Sequence, residues 1–495
     1  MYKLLGEIIF YRVIYWGADA LERPLNITIR IQLENRPGKL AGVLEVIARA
    51  GGNLGAIDLV SASSNHLVRE LMVSVSNRAS LMEIIAALDN LPGVQVLHVI
   101  DRVFQSHLGG KMEIRAKRDI HSREDLSLIY TPGVARVSTA IAGDSEKAYR
   151  LTMKGNTVAV ITDGSAVLGL GNIGPEAALP VMEGKAVLFK KFAGIDAIPI
   201  CVNVHEPEKI IDFVLACAPT FGAINLEDIA APGCFEIEEQ LTRRLDIPVF
   251  HDDQHGTAIV TLAGLINSLK VVGKQLEAVK IVISGAGAAG VAITKILLDA
   301  GAKDIVVCDR KGAISRDNLP QQPSKRWLAE HTNQHLQKGG LKEVITGADV
   351  FIGVSSANLL NRADITRMAS KPVVFALANP DPEVEPEDVH DLCGVIATGR
   401  SDYPNQINNA LAFPGVFRGA LDCHARMIND SMCLAAAQAL AGIVKPGQMS
   451  AEYIIPSIFN EDVCPAVARA VENAARITGV SRKHLYEKVE GSLLF

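Results

Sequence analysis

Two acidic clusters, Asn225-Leu226-Glu227-Asp228-Ile229 and His251-Asp252-Asp253-Gln254-His255-Gly256-Thr257, bracket a helix-like run, Phe235 to Leu245, and a short apolar stretch, Ile247-Pro248-Val249-Phe250. The apolar stretch reads as a buried strand, so the acids close the two ends of a β–α–β piece. That brings carboxylates from distant positions to one edge of a sheet, where open α/β sheets bind ligands. Neighbouring strand residues point to opposite faces. Glu227 and Asp228 therefore converge only at a strand end or a turn. With Asp253 they make a hard oxygen site, suited to Mg²⁺ or Mn²⁺ rather than to zinc. Taken singly, each cluster also reads as helix-capping or surface acid. A lysine and a glycine fingerprint on either side favour the site.

The fingerprint is Gly285-Ala286-Gly287-Ala288-Ala289-Gly290. An apolar strand, Val279 to Ser284, precedes it and a helical run, Val291 to Leu298, follows. A second strand, Ile305 to Cys308, ends in Asp309. This is the GxGxxG turn in its required setting: glycines for the tight turn, pyrophosphate at a helix N-terminus, and an acid for the ribose hydroxyl. Gly285, Gly287, Ala288, Ala289 and Gly290 are expected to line the cofactor. Asp309 favours NAD, while Arg310 and Lys311 directly after it could hold the extra phosphate of NADP. Further strands at Val350–Val354 and Val373–Leu377 lead to Asn379. Asn408 and Asn409 follow the Tyr403-Pro404-Asn405-Gln406 stretch. These amides are candidates to orient a carboxylate or carboxamide, although each alone also reads as turn asparagine.

Upstream, the strand Thr157 to Ile161 runs into Thr162-Asp163-Gly164-Ser165 and the loop Leu168-Gly169-Leu170-Gly171-Asn172. Lys185, in Glu183-Gly184-Lys185, opens an apolar run. A lysine among apolar groups has a depressed pKa and can act as a general base, with Asp252 as its expected neighbour. A lysine at a helix start opposes the dipole and so wants another reason to be there. Tyr130, beside the turn Pro132-Gly133, could present its phenol to a cleft or simply be half-buried.

Residues 25–103 form a separate pattern. Strand Leu25–Leu33, turn Asn35-Arg36-Pro37-Gly38, helix Leu40–Ala50, strands Ile57–Ser61 and Leu67–Val75, helix Leu81–Leu88 and strand Val94–Val103 give βαββαβ, a ferredoxin-like order. With its Asn-Arg-Pro-Gly-Lys-Leu turn the stretch resembles an ACT domain. That implies a regulatory module pairing edge to edge around a small effector, or a dimerisation module that binds nothing.

The 495 residues exceed one typical core, so several domains are expected. These are the ACT-like unit at 25–103, a linker at 104–121, an α/β catalytic domain at 122–269, a Rossmann-type domain at 270–440 and C-terminal helices at 441–495 packing on the catalytic domain. A net charge of −6 gives no nucleic-acid footprint. No apolar run is expected to span a membrane. Met1 to Trp16 lacks the basic start and cleavage site of a signal peptide. Eight scattered cysteines without a CxxC pair suggest a reducing cytoplasm.

Taken together, Tyr130-Thr131-Pro132-Gly133, Glu183-Gly184-Lys185, Asn225-Leu226-Glu227-Asp228, the 251–257 cluster, the 285–290 fingerprint and Asn408-Asn409-Ala410-Leu411-Ala412-Phe413-Pro414-Gly415 resemble the malic enzymes, in order, over roughly residues 115–490. The resemblance implies oxidative decarboxylation of L-malate to pyruvate and CO₂ with NAD or NADP, in a homodimer or higher assembly. Lys185 would be the base, with Asp252 beside it. Tyr130 would be the acid that protonates the enolpyruvate carbon, and Glu227, Asp228 and Asp253 would be the metal ligands. Tyr130, Ser165, Lys185, Asn379 and Asn409 would contact substrate, and Asn379 and Asn408 the cofactor. One position departs. The arginine that animal-type members place after Thr-Asp-Gly is here Ala166, which shifts substrate contact onto Ser165, Asn379 and Asn409. Alternatives are an oxaloacetate decarboxylase, a malolactic-type redox-neutral enzyme, or a non-catalytic dinucleotide sensor.

Overall fold

The computed structural model describes residues 13–14, 25–167 and 169–482. Most of Met1–Trp16, and Leu168 of the glycine loop, lie outside them. The chain forms two compact units, one ending at Ile114 and the other beginning at Arg115.

The first unit is a five-stranded sheet in the order Val13–Ile14, Val94–Asp101, Leu25–Glu34, His66–Val75, Asn53–Ala62. Its four long strands pair antiparallel, as βαββαβ requires. Leu25–Glu34 alternates: Ile27, Ile29, Ile31 and Leu33 are buried against Val43 and Ile47 of the helix Lys39–Arg49 and Leu81, Ile84 and Leu88 of the helix Arg78–Asp89. The expected tight turn is made at Gly38, φ +86°. The basic segment that follows contains one short helix, Arg102–His107, and then irregular chain.

The second unit holds two parallel sheets. One runs Asp196–Cys201, Thr157–Thr162, Ala223–Leu226, Val249–His251. The strand Asp196–Cys201 escapes sequence reading because Pro199 interrupts it. It is an edge strand, where proline is tolerated. The other runs Gly312–Ala313, Asp304–Asp309, Lys280–Ser284, Val350–Gly353, Val373–Ala376, Val395–Thr398. All its pairs are parallel except the two-residue strand at the edge. This is the doubly wound dinucleotide order with its third strand reduced to a stub.

One apolar core joins both sheets. It runs from Val158, Val160 and Phe250 through Ile259, Leu262 and Leu265 to Ile281, Ile283 and Phe375, and on to Phe413, Phe417 and Val467. The helix Thr257–Val272 is its spine. With the turn before it, Asp252–Val272 spans 21 residues at a mean hydropathy of 1.3, long and apolar enough to cross a membrane. This corrects the expectation that no run qualifies. Two-thirds of its apolar window is buried in the fold, so it is a core helix. The helix Val463–Ile477 lies on Phe413–Asp422 and Asp430–Ile443, and Phe413 and Phe417 meet Phe189 at ring distances of 4.7 and 5.1 Å.

Buried Asn267 locks the spine helix in place by donating to the carbonyls of Ala441 and Ile454, both at 2.9 Å. Asn267→Ala strands two buried acceptors and should cost about 1–3 kcal/mol. A lower urea midpoint in circular dichroism, with an unchanged slope, would show this.

Candidate active site

Glu227 comes directly after the strand Ala223–Leu226, and Asp252 and Asp253 directly after Val249–His251. These are neighbouring parallel strands, so their ends deliver the acids to the same edge. Asp228 sits in the left-handed region, φ +53°, a turn that aspartate tolerates. Its N–H donates to Asp253 Oδ2 at 2.8 Å. One oxygen from each of Glu227, Asp228 and Asp253 lies within 4.8 Å of the others.

Lys185 is buried beside this cluster. Its Nζ lies 2.9 Å from Glu227 Oε1, donates to Asp252 Oδ2, and stands 4.7 Å above the Phe413 ring. Two expectations need correction. Lys185 is not at a helix start: the helix Pro175–Ala193 begins ten residues earlier and carries Lys185 on its buried face with Ala178, Met182 and Phe189. Nor is its pKa depressed. Burial alone pulls the ammonium down, but Asp252 and Glu227, helped by Asp253, hold it well above the ordinary lysine range. Burial pushes Glu227 and Asp252 up despite Lys185, and the neighbouring acids add to the rise. Three carboxylates, Asp252, Glu227 and Asp253, thus act on one ammonium. Asp252 Oδ1 and Asn225 Oδ1 are buried with no hydrogen-bond partner among the described residues. Excess negative charge and clustered oxygen donors fit a hard divalent cation.

The loop after the first strand braces these acids. Asp163, almost fully buried, accepts from the Ser165 hydroxyl at 2.6 Å and pairs with His205 Nδ1 at 3.0 Å. Ser165 Oγ in turn accepts the Ala230 N–H at 2.8 Å, so the expected substrate hydroxyl is also a structural one. Asn225 Nδ2 donates to Glu227 Oε2 at 2.9 Å. Neither Asp163 nor Asn225 shows its role in local pattern: Asp163 works with His205, 42 residues away, which the sheet edge brings round, and Asn225 with Glu227, two residues on at the strand end.

Tyr130 does not join the cluster. It caps the helix Arg123–Ile129 and is 65 % exposed, whereas Lys185 is buried. Neither that helix nor Gly133–Gly143 buries a residue.

At the cofactor edge, Gly285 has φ +120°, and a Cβ there would meet Val354 O at 2.6 Å. The helix Ala288–Asp299 starts within the fingerprint. Asp309 ends its strand as expected, but its carboxylate is already engaged by the Lys311 N–H at 2.8 Å and Lys325 Nζ at 2.5 Å. Lys325 lies 16 residues further on, with no local signal to reveal it. Arg310 is exposed. Asn379 lies against Gly399, and its carbonyl is so close to Gly169 that a Cβ there would sit 2.2 Å away. The glycine loop of one sheet therefore abuts the strand ends of the other. Asn408 accepts from Ala410 N–H at 2.9 Å, and half-buried Asn409 abuts Gly256.

Three comparisons bear on this geometry. Residues 109–242 match the family profile of the malic enzyme N-terminal domain, residues 254–476 that of the malic enzyme NAD binding domain, and residues 22–98 an ACT domain. The chain is 56 % identical over 459 residues to the NAD-dependent malic enzyme of Geobacillus stearothermophilus, covering 93 % of this chain and 96 % of that one. It is 56 % identical over 376 residues to the bifunctional malic/malolactic enzyme of Bacillus subtilis strain 168, covering 75 % and 92 %. The crystal structure of the malic enzyme from Pyrococcus horikoshii superposes with a TM-score of 0.73 at 49 % identity, covering 78 % of this chain and 94 % of that one.

A Cβ at Gly290 would lie 1.9 Å from Gly285 O. Gly290→Ala must open the fingerprint turn, at a cost of roughly 1–3 kcal/mol. Calorimetric titration should show NAD binding weakened by about tenfold or more, with the first unit unaffected.

Proposed function

Because the chain belongs to the malic enzyme family, with an ACT domain in front, we propose that it oxidatively decarboxylates L-malate to pyruvate and CO₂ with reduction of NAD. The observation that carries this reading is the buried Lys185 bonded to Asp252 and Glu227 at the strand-end carboxylate cluster. A dead dinucleotide sensor has no use for a buried ammonium so placed.

In this reading Glu227, Asp228 and Asp253 would hold Mg²⁺ or Mn²⁺ and the 285–290 turn would hold NAD; these groups would supply Lewis-acid polarisation and a hydride acceptor. Lys185 takes the C2 hydroxyl proton. It enters the cycle as an ammonium and must first release its own proton to solvent. A cation held by Glu227 would offset part of the charge that retains that proton. Asp252 fixes the Lys185 Nζ position through the hydrogen bond it accepts. Loss of CO₂ from C4 leaves a carbanion equivalent at C3, and Tyr130 returns a proton there. Tyr130 lies in a segment that is uncovered in one chain, with Ile120, Leu126 and Leu128 exposed nearby. Assembly of two or more chains is part of this reading, and it or a closure must bring the phenol to C3. Asn379 and Asn409 contact substrate, and Asn379 and Asn408 the nicotinamide side of the cleft.

NAD is preferred over NADP because Asp309 ends its strand as the ribose acceptor. Lys325, Lys311 and Arg310 temper that preference by placing positive charge beside it. The bifunctional relative favours one second reading, in which pyruvate is retained and reduced to lactate without net release of NADH. All eight cysteines are free, consistent with a cytoplasmic enzyme.

The test is purified full-length chain with L-malate and Mn²⁺, with NAD or NADP in separate reactions. Reduced nicotinamide, pyruvate and lactate are measured. Equal NADH and pyruvate are expected; lactate without NADH would replace this reading with the malolactic one. Lys185→Ala should lower kcat by about 10²–10⁴-fold while NAD binding persists.

Regulation through the first unit is also proposed. A chain lacking residues 1–104 should keep the basic reaction but lose an effector response or dissociate to a smaller assembly in sedimentation. Unchanged kinetics across an amino-acid panel, with unchanged assembly, would count against it.

A further inference from the structure

Asp252 and Asp253 sit on a single π-helical turn, Asp252–Gly256. Such turns are rare and recur at functional sites. This one is wound tightly: a Cβ at Gly256 would fall 1.8 Å from Asp252 Oδ1. No side chain within the turn caps its start. Something outside must hold it.

That group is Glu238, on the helix Gly233–Arg244. It lies on the face that buries Cys234, Ile237 and Leu241, an expensive place for a carboxylate without partners. It has three. The His251 N–H donates to Oε1 at 2.8 Å, Gln254 Nε2 donates to Oε2 at 3.0 Å, and His255 Nε2 lies 3.0 Å from Oε2. The first contact is one residue before Asp252, and the others are one and two residues after Asp253. Glu238 therefore grips both flanks of the acidic pair while touching neither acid. It approaches from the far side. Glu238, Gln254 and His255 line a cavity of about 350 Å³ whose walls include none of Lys185, Glu227, Asp228 or Asp253.

We infer that Glu238 is a positioning residue: its carboxylate sets the π turn so that Asp252 meets Lys185 while Asp253 meets Glu227 and Asp228. The inference rests on the reading of Glu227, Asp228 and Asp253 as the cation donors. The two acids are adjacent on one turn, and a rotation of that turn would displace both contacts together. Three bonds to one rigid helix prevent that rotation. Reach, rather than charge, is what this role requires.

Two full-length variants separate these. Glu238→Asp keeps the charge but withdraws the carboxylate by one methylene. Glu238→Gln keeps the reach and one acceptor but loses the charge. Mn²⁺ binding is read by the electron paramagnetic resonance of free Mn²⁺, and NAD binding by calorimetry. Glu238→Asp is expected to weaken Mn²⁺ binding by roughly tenfold or more, and Glu238→Gln by less, both with NAD affinity within about twofold of the parent. The inference is overturned if Glu238→Asp binds Mn²⁺ like the parent, if the glutamine variant is the worse of the two, or if NAD binding falls in step. Should Glu238→Asp not fold, Gln254→Ala removes one of the three bonds and carries the same expectation. Unchanged Mn²⁺ binding in it overturns the inference. A parent chain that binds no Mn²⁺ would instead remove the metal reading on which this one stands.

Discussion

The second unit is arranged around one buried ammonium. Lys185 sits on a helix whose neighbouring side chains are apolar, and an unpaired charge there would be prohibitive. It is tolerable because Asp252 and Glu227 reach it from the ends of two strands. The carboxylates outnumber the one lysine, and their mutual repulsion adds to the rise that burial causes in Glu227 and Asp252. The same imbalance that holds the lysine protonated makes the site attractive to a divalent cation. Structure and chemistry share one electrostatic constraint.

That constraint needs a rigid frame, and the spine helix provides it. The π turn leading into it carries Asp252 and Asp253, and its body lies in the core shared by both sheets. Lys185, the acid cluster and the glycine turn at 285–290 are thus registered against one another through a single packed element. Side chains in a close-packed core transmit displacement rather than absorb it. The close approach of Gly169 to the Asn379 carbonyl adds a second registration point at the strand ends. At the cofactor edge the frame is looser. Asp309 is held by Lys325, but Arg310 and Lys311 are exposed, so their side chains are free of packing constraints.

Much of this was legible in the chain. Alternating Ile27, Ile29 and Ile31 specify a half-buried strand whatever surrounds them. GxGxxG between an apolar strand and an apolar helix specifies its own turn, because only glycine suits the geometry at Gly285. The acids flanking residues 230–250 point to a sheet edge, since strand ends are where successive side chains can converge. These features depend on local backbone chemistry and on periodicity, which a sequence displays directly.

What tertiary structure alone decided depends on distance and dielectric. The direction of the Lys185 shift follows from carboxylates 42 and 67 residues away, not from its apolar neighbours in sequence. The pairing of Asp309 with Lys325, the double duty of the Ser165 hydroxyl, and the exposure of Tyr130 in a single chain are likewise invisible to local pattern. Glu238 is the clearest case. In sequence it is one acid among several on an amphipathic helix, and nothing marks it out until the strand end and the π turn fold over it. A hydrogen bond is made or lost within fractions of an ångström, and sequence spacing carries no such ruler.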